Sequence, residues 1–254
     1  MPDSTASRLG LPVGVRACLF DLDGVLTRTA VVHAAAWKEM FDEFLLARSR
    51  SQGVPFVPFD VETDYLTWVD GKPRADGTRS FLASRGITLP EGTHGDPPGA
   101  DTVNGLGNRK NDLVTRYIRE KGVEVYPGSL RYLEAVREVG LATALVSSSA
   151  NAADILRVTG LERFLDVRID GLVARERGLP GKPAPDTFLE GAKELGIAPG
   201  EAAVFEDALS GVAAGARGGF LAVVGVDREG HPDKLRERGA TAVVGDLDEL
   251  LAGR

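Results

Sequence analysis

Two aspartates, Asp21 and Asp23, close an apolar run in the stretch Phe20-Asp21-Leu22-Asp23-Gly24-Val25-Leu26-Thr27. Side chains alternate along an extended chain, so both carboxylates can point one way while Leu22 packs back into a core. Converging carboxylates repel each other unless a cation or a shared proton intervenes. The pair therefore suits a Mg²⁺ site in which Asp21 acts as nucleophile and Asp23 as proton donor. Asp-x-Asp-Gly also marks ordinary turns, so these residues alone leave both readings open.

Three further clusters extend the pattern. The apolar run 141–146 stops at Ser147-Ser148-Ser149, and the run 202–205 stops at Glu206-Asp207. Between them, Gly181-Lys182-Pro183-Ala184-Pro185-Asp186 presents one lysine ahead of a helical pattern. Carboxylates suit a hard cation, and a hydroxyl and an ammonium suit phosphate. Asp21 and Asp207 are the leading metal ligands, with Glu206 as a third and Asp23 contributing its carbonyl. Ser147 and Lys182 are placed to hold phosphoryl oxygens. An aspartate nucleophile would split phosphoryl transfer into two steps through an aspartyl-phosphate.

These clusters need elements that bring them together. Residues 15–20 read as a short buried strand, and each apolar run is followed by an amphipathic helical pattern. Alternating strand and helix imply a parallel sheet covered on both faces, whose carboxyl ends share one ligand-binding edge. The spacing predicts a helix over 28–48, with Trp37, Phe41, Phe44 and Leu45 on its apolar side. A loop is expected over 49–60, and further helices near 77–85, 110–121 and 208–216. Residues 221–226 and 242–244 read as strands, and 92–107 as a glycine-rich and proline-rich surface loop. Residues 1–13 read as a loose leader. The small residues of 211–219 suggest close helix–sheet packing.

The Asp-x-Asp pair, the serine after the second run, the lysine and the acidic pair occur in the order seen in the haloacid dehalogenase superfamily of phosphotransferases, which the chain resembles. A finer resemblance is to the β-phosphoglucomutase-like subfamily. It implies an α/β fold: a Rossmann-like doubly wound parallel-sheet core, residues 1–27 and 125–254, with an inserted, mainly helical cap, residues 28–124. The stretch from Thr29 to Lys38 is similar to the subfamily's cap-entry helix. That match gives Thr29 a hinge position, and gives His33 and Trp37 places near the sugar. Val69-Asp70-Gly71-Lys72-Pro73-Arg74 resembles the segment that carries an arginine to the substrate's second phosphate, which implies roles for Gly71 and Arg74. Lys110 matches a cap lysine that contacts substrate, and Ser149 and Asn151 match residues that grip the distal phosphate. Arg28, Asp70 and Ala150 depart from the subfamily, where an acid, a lysine and a lysine are common.

The resemblance implies conversion of β-glucose 1-phosphate to glucose 6-phosphate through glucose 1,6-bisphosphate, with Mg²⁺ as cofactor and Asp23 as general acid and base. A sugar-phosphate phosphatase on the same core is the alternative, and a non-catalytic binding module would have no use for this acid set.

Composition agrees. At 254 residues with a formal net charge of −7, the chain is long enough for two units and opposite in sign to a typical nucleic-acid binder. The single cysteine, Cys18, lies in the first apolar run and cannot form an intrachain disulfide. No run approaches the roughly 20 apolar residues of a membrane span, and the start lacks a signal-peptide pattern. A cytoplasmic monomer acting on a phosphorylated sugar, with neither nucleic acid nor membrane as partner, is the expectation.

Overall fold

β1, Ala17–Phe20, is four residues long and buried along its whole length. Apolar residues on both faces require cover on both sides, which is why this run sits inside a sheet and not at its edge. In the computed structural model, which describes residues 6–228 and 230–251, the chain divides into two compact units. One comprises the described residues up to Arg28 and from Val123 onward; the other is Thr29–Gly122.

The first unit is built on a six-stranded, wholly parallel sheet in the order β3-β2-β1-β4-β5-β6. The remaining strands are β2 (Ala142–Val146), β3 (Val167–Ile169), β4 (Ala202–Glu206), β5 (Ala222–Val226) and β6 (Ala242–Val244). β1 is central and pairs on both sides, with Phe20 opposite Leu145 on β2 and Phe205 on β4. Residues that follow these three strands therefore emerge side by side. The rings of Phe20 and Phe205 stack at 4.6 Å directly beneath them.

Helices return the chain between strands. In the second unit lie α1 (Ala30–Gln52), α2 (Arg74–Ser84) and α3 (Val103–Lys121). In the first lie α4 (Pro127–Glu138), α5 (Ala152–Thr159), α6 (Gly171–Glu176), α7 (Asp186–Glu194), α8 (Leu209–Arg217) and α9 (Pro232–Glu237). On α8, an added Cβ at Gly215 would lie 3.2 Å from Val204 and Val223, so the small residues do serve close helix–sheet packing.

The helical unit has its own core. Trp37, Met40, Phe41, Phe44 and Leu45 recur at helical spacing on α1 and pack with Phe59, Phe81 and Leu106. α1 outruns its expected end at 48, reaching Gln52 before Gly53 turns left-handed at φ 67°. A π-helical turn over Tyr65–Val69 leads toward α2.

Two readings from sequence need correction. The expected surface loop over 92–107 gives way to helix at Val103, because Thr102 caps α3 by accepting from the Gly105 amide at 2.9 Å. Gly105 is tolerated there because a Cβ would strike the Ala100 carbonyl at 2.3 Å. The loose leader is not loose over its described part. Ala6, Leu9 and Leu11 are buried, and the Tyr132 hydroxyl donates to the Leu9 carbonyl at 3.0 Å. Its first five residues lie outside the described residues.

Candidate active site

Asp21 follows β1 directly, and its amide donates to the Phe205 carbonyl of β4 at 3.0 Å. Lys182 arrives from the turn before α7, through a cis peptide to Pro183. Its ammonium donates to Asp21 Oδ1 at 2.5 Å, Glu206 Oε1 at 2.6 Å and the Val146 carbonyl at 3.0 Å. An ammonium has three protons, and these three acceptors use all of them. The acceptors follow or end β1, β4 and β2, so one lysine ties the ends of three adjacent strands together.

Burial governs the charges here. Lys182 is 2% exposed and Glu206 is fully buried. Dehydration pushes the Asp21 carboxyl up despite the neighbouring ammonium, and it raises Glu206 to about 7. For Lys182 dehydration works against the charge, but the two carboxylates outweigh it and hold the ammonium protonated. One positive charge among two carboxylates leaves the dry cluster short of cation. That shortage raises proton affinity, and a bound cation would relieve it.

Glu206 is held at both oxygens: Oε2 accepts the Ala208 amide at 2.9 Å while Oε1 takes Lys182. Gly211 makes room for it, since a Cβ there would sit 1.7 Å from Oε1. Asp207, the next residue, turns toward the first loop. An added Cβ at Gly24, whose φ is +83°, would fall 1.6 Å from Asp207 Oδ2, so only glycine lets that carboxylate lie against the turn. The Asp23 amide hydrogen-bonds the Asp21 carboxylate, which links the two acids through the backbone.

Among the described residues, no three acids, histidines or cysteines form a ready-made metal cluster. Of the four residues expected as ligands, Asp21 and Glu206 each give one oxygen to Lys182. Mg²⁺ needs few protein carboxylates when phosphate and water supply the rest of its shell. The remaining Asp21 oxygen, Asp207 and the Asp23 carbonyl are a hard-oxygen donor set that fits such an ion.

On the β2 side, Ser147 and Ser149 are buried and form a short relay. The Ser149 amide donates to Ser147 Oγ at 3.1 Å, and the Asn151 amide to Ser149 Oγ at 3.2 Å. These hydroxyls are accepting from backbone, so each still has its own proton to donate.

The expected cap residues gather at two places in the helical unit. His33 and Trp37 lie one turn apart on α1 and meet Lys110 from α3. The Lys110 ammonium is 2.9 Å from His33 Nδ1 and 4.7 Å from the Trp37 ring centroid. Lost hydration, then the ammonium, hold the His33 imidazole well below its usual pKa, so it is neutral and accepts at Nδ1. Thr29, just ahead of α1, is buried. Arg74 begins α2 and packs along α3, its Cγ 3.5 Å from where a Gly107 Cβ would be. Gly71 supplies a left-handed turn before it, at φ 67°.

A family profile described as haloacid dehalogenase-like hydrolase matches residues 15–219. This chain belongs to that family. A beta-phosphoglucomutase of Mycobacterium tuberculosis is 56% identical over 253 residues, covering 98% of this chain and 97% of its own. A phosphorylated carbohydrates phosphatase of Thermotoga maritima is 27% identical over 233 residues, covering 91% and 94%. Among solved structures, a beta-phosphoglucomutase from Clostridium difficile shares the fold with a TM-score of 0.71 at 24% identity, over 93% of both chains. The chain is thus a haloacid dehalogenase enzyme of the β-phosphoglucomutase-like branch.

The sequence marks Gly24 as a tight turn and Gly211 as a packing glycine, but not that each makes room for a carboxylate. Gly24 and Gly211 each stand where a carboxylate occupies the space of a missing side chain. Their signal was visible: each is close in sequence to an acid of the cluster.

Proposed function

We propose that this enzyme is a β-phosphoglucomutase, interconverting β-glucose 1-phosphate and glucose 6-phosphate through glucose 1,6-bisphosphate. The 56% identity to a protein of that name, running almost end to end in both chains, carries the reading. The Asp21–Lys182–Glu206 cluster supports a phosphoryl-transfer role for the core.

In this reading a carboxylate oxygen of Asp21 carries the phosphoryl group. The sugar's 6-hydroxyl attacks phosphorus, the Asp21–phosphorus bond breaks, and Asp23 takes the hydroxyl proton. After the bisphosphate turns over, Asp21 attacks the 1-phosphate and Asp23 returns the proton to the departing C1 oxygen. Lys182 holds Asp21 in place and offsets charge on the transferring group. Ser147 donates to its oxygens, Arg74, Ser149 and Asn151 are the proposed grips for the distal phosphate, and Lys110 is a proposed contact to substrate. Asp21, Asp207 and the Asp23 carbonyl would hold Mg²⁺, with Glu206 beside them. Bound there, the ion supplies neutralisation of phosphoryl charge.

Hydrolysis is the competing outcome, in which water attacks the aspartyl-phosphate and inorganic phosphate leaves. The Thermotoga relative's name keeps it in view. The test supplies β-glucose 1-phosphate, Mg²⁺ and a trace of bisphosphate, then compares glucose 6-phosphate formed with phosphate released. A large excess of glucose 6-phosphate supports the mutase, whereas stoichiometric phosphate supports the hydrolase. Asp21→Asn should cut turnover by on the order of 10³-fold or more and abolish acid-stable, hydroxylamine-sensitive phosphoenzyme. Retained turnover rejects Asp21 as nucleophile.

A further inference from the structure

The turn that carries Asp23 is held from outside at three successive carbonyls. The Gly24 carbonyl accepts from Arg228 Nε at 3.0 Å, the Val25 carbonyl from Ser129 Oγ at 2.6 Å and the Leu26 carbonyl from the Tyr126 amide at 3.0 Å. Ser129 and Tyr126 belong to the start of α4, so two of the three grips come from one rigid element. The third is a side chain from the loop after β5, 204 positions from its acceptor.

Arg228 is itself fixed on every side. Its Nη1 donates to the Gly245 carbonyl at 2.7 Å, and its Nη2 pairs with Asp246 Oδ1 at 3.1 Å. Its guanidinium carbon lies 3.6 Å from the centroid of the Tyr126 ring, and Arg28 approaches the same ring at 4.9 Å. The Asp246 carboxylate is tucked against the α4 terminus, where a Cβ on Gly128 would lie 2.4 Å from it. A flat, five-donor guanidinium stacked on a ring can satisfy three acceptors at fixed angles, which a lysine ammonium on a flexible stem cannot reproduce.

We propose that Arg228, anchored by Asp246 and stacked on Tyr126, is a positioning residue that fixes the Asp23–Gly24 turn for proton transfer. The inference rests on the phosphoryl-transfer reading for its kinetic consequence, but not for the brace. The Gly24 carbonyl sets the orientation of the Gly24–Val25 peptide, one residue beyond Asp23, and so of the backbone against which Asp207 lies. Loss of the brace costs alignment, and misalignment of a proton donor lowers turnover more than it weakens substrate binding.

Two readouts test this. Amide hydrogen exchange, followed by mass spectrometry on a peptide spanning residues 21–27, needs no substrate. Arg228→Met should speed exchange there about tenfold or more while peptides from β2 and β4 keep their protection. In kinetics on whichever phosphate ester the wild type accepts, Arg228→Met should lower kcat about 10- to 100-fold and leave KM within about threefold. Arg228→Lys should recover little of this, Tyr126→Leu should show a smaller loss of the same kind, and Tyr126→Phe should match wild type.

Unchanged exchange over 21–27 in Arg228→Met overturns the brace. Faster exchange with an unchanged kcat overturns the positioning role, as does a loss confined to KM. Should Arg228→Met fail to fold, Arg228→Lys and Tyr126→Leu decide by the same criteria. A wild type inactive on sugar phosphates would refute the proposed function alone, because exchange still judges the brace.

Discussion

Each unit of this enzyme buries a lysine, and the neighbours of the two differ in kind. Lys182 in the sheet unit is enclosed by two carboxylates and a carbonyl. Lys110 in the helical unit rests against a neutral imidazole and an indole face. The contacts of Lys182 are rich in negative charge, whereas a neutral imidazole and an indole face are among the neighbours of Lys110. A buried charge surrounded by formal opposite charges is structural as much as chemical, because removing it strands its partners. A charge held by polarisable, neutral groups stays available to an anion at small structural cost. The core lysine is therefore built to hold the site's acids together.

The sharpest way to break this contrast is Lys182→Met. It leaves Asp21 and Glu206 facing each other in a dry pocket, and in metal-free protein it should cost about 3–5 kcal/mol by thermal or urea unfolding. Adding Glu206→Gln to that variant should return part of the loss. If the single variant melts like wild type, the acids are not held by the lysine.

Lys110→Met probes the other half. It should cost less stability than Lys182→Met, while raising the KM for a sugar phosphate about tenfold. Destabilisation as large as that of Lys182→Met would erase the distinction between the two lysines.

The smallest effect is a pH dependence in the cap. His33 is neutral when folded and titrates well below its ordinary value of 6.5, so the unfolded chain binds the proton first as pH falls. Stability is therefore intact above about 6.5 and is lost as pH drops toward the folded value. The lost amount approaches about 1.4 kcal/mol per pH unit. His33→Asn should flatten this slope in unfolding curves between pH 6.5 and 5. A slope equal to wild type would show that the imidazole is not kept neutral in the fold.

The strands buried on both faces were the clearest parts of the fold in the sequence. β1, β2 and β4 announce themselves as apolar runs, and each run's polar ending marks the carboxyl edge where Asp21, Ser147 and Glu206 stand. β3 did not, because the exposed Arg168 at its middle breaks its apolar run, whereas the equally short β6 is unbroken. The start of α3 was hidden by Gly105 and Gly107, whose composition mimics a loop although Thr102 caps a helix. Ala6, Leu9 and Leu11 were lost among polar neighbours, since three apolar residues carry no period. The lysine bridge between two acids needs the register of three strands. The Arg228 brace was beyond reach for a related reason: it recognises backbone carbonyls, which have no signature in residue types.

The central place of β1 has a consequence for synthesis. Asp21 is translated before its anchor: Lys182 follows 161 positions later and the flanking strand β4 later still. The whole helical unit is translated in that interval and has a core of its own to fold around. A nascent chain thus carries Asp21 without its lysine until the helical unit and β2 have been made. The lysine clamp of the core can therefore close only after the helical unit has been made.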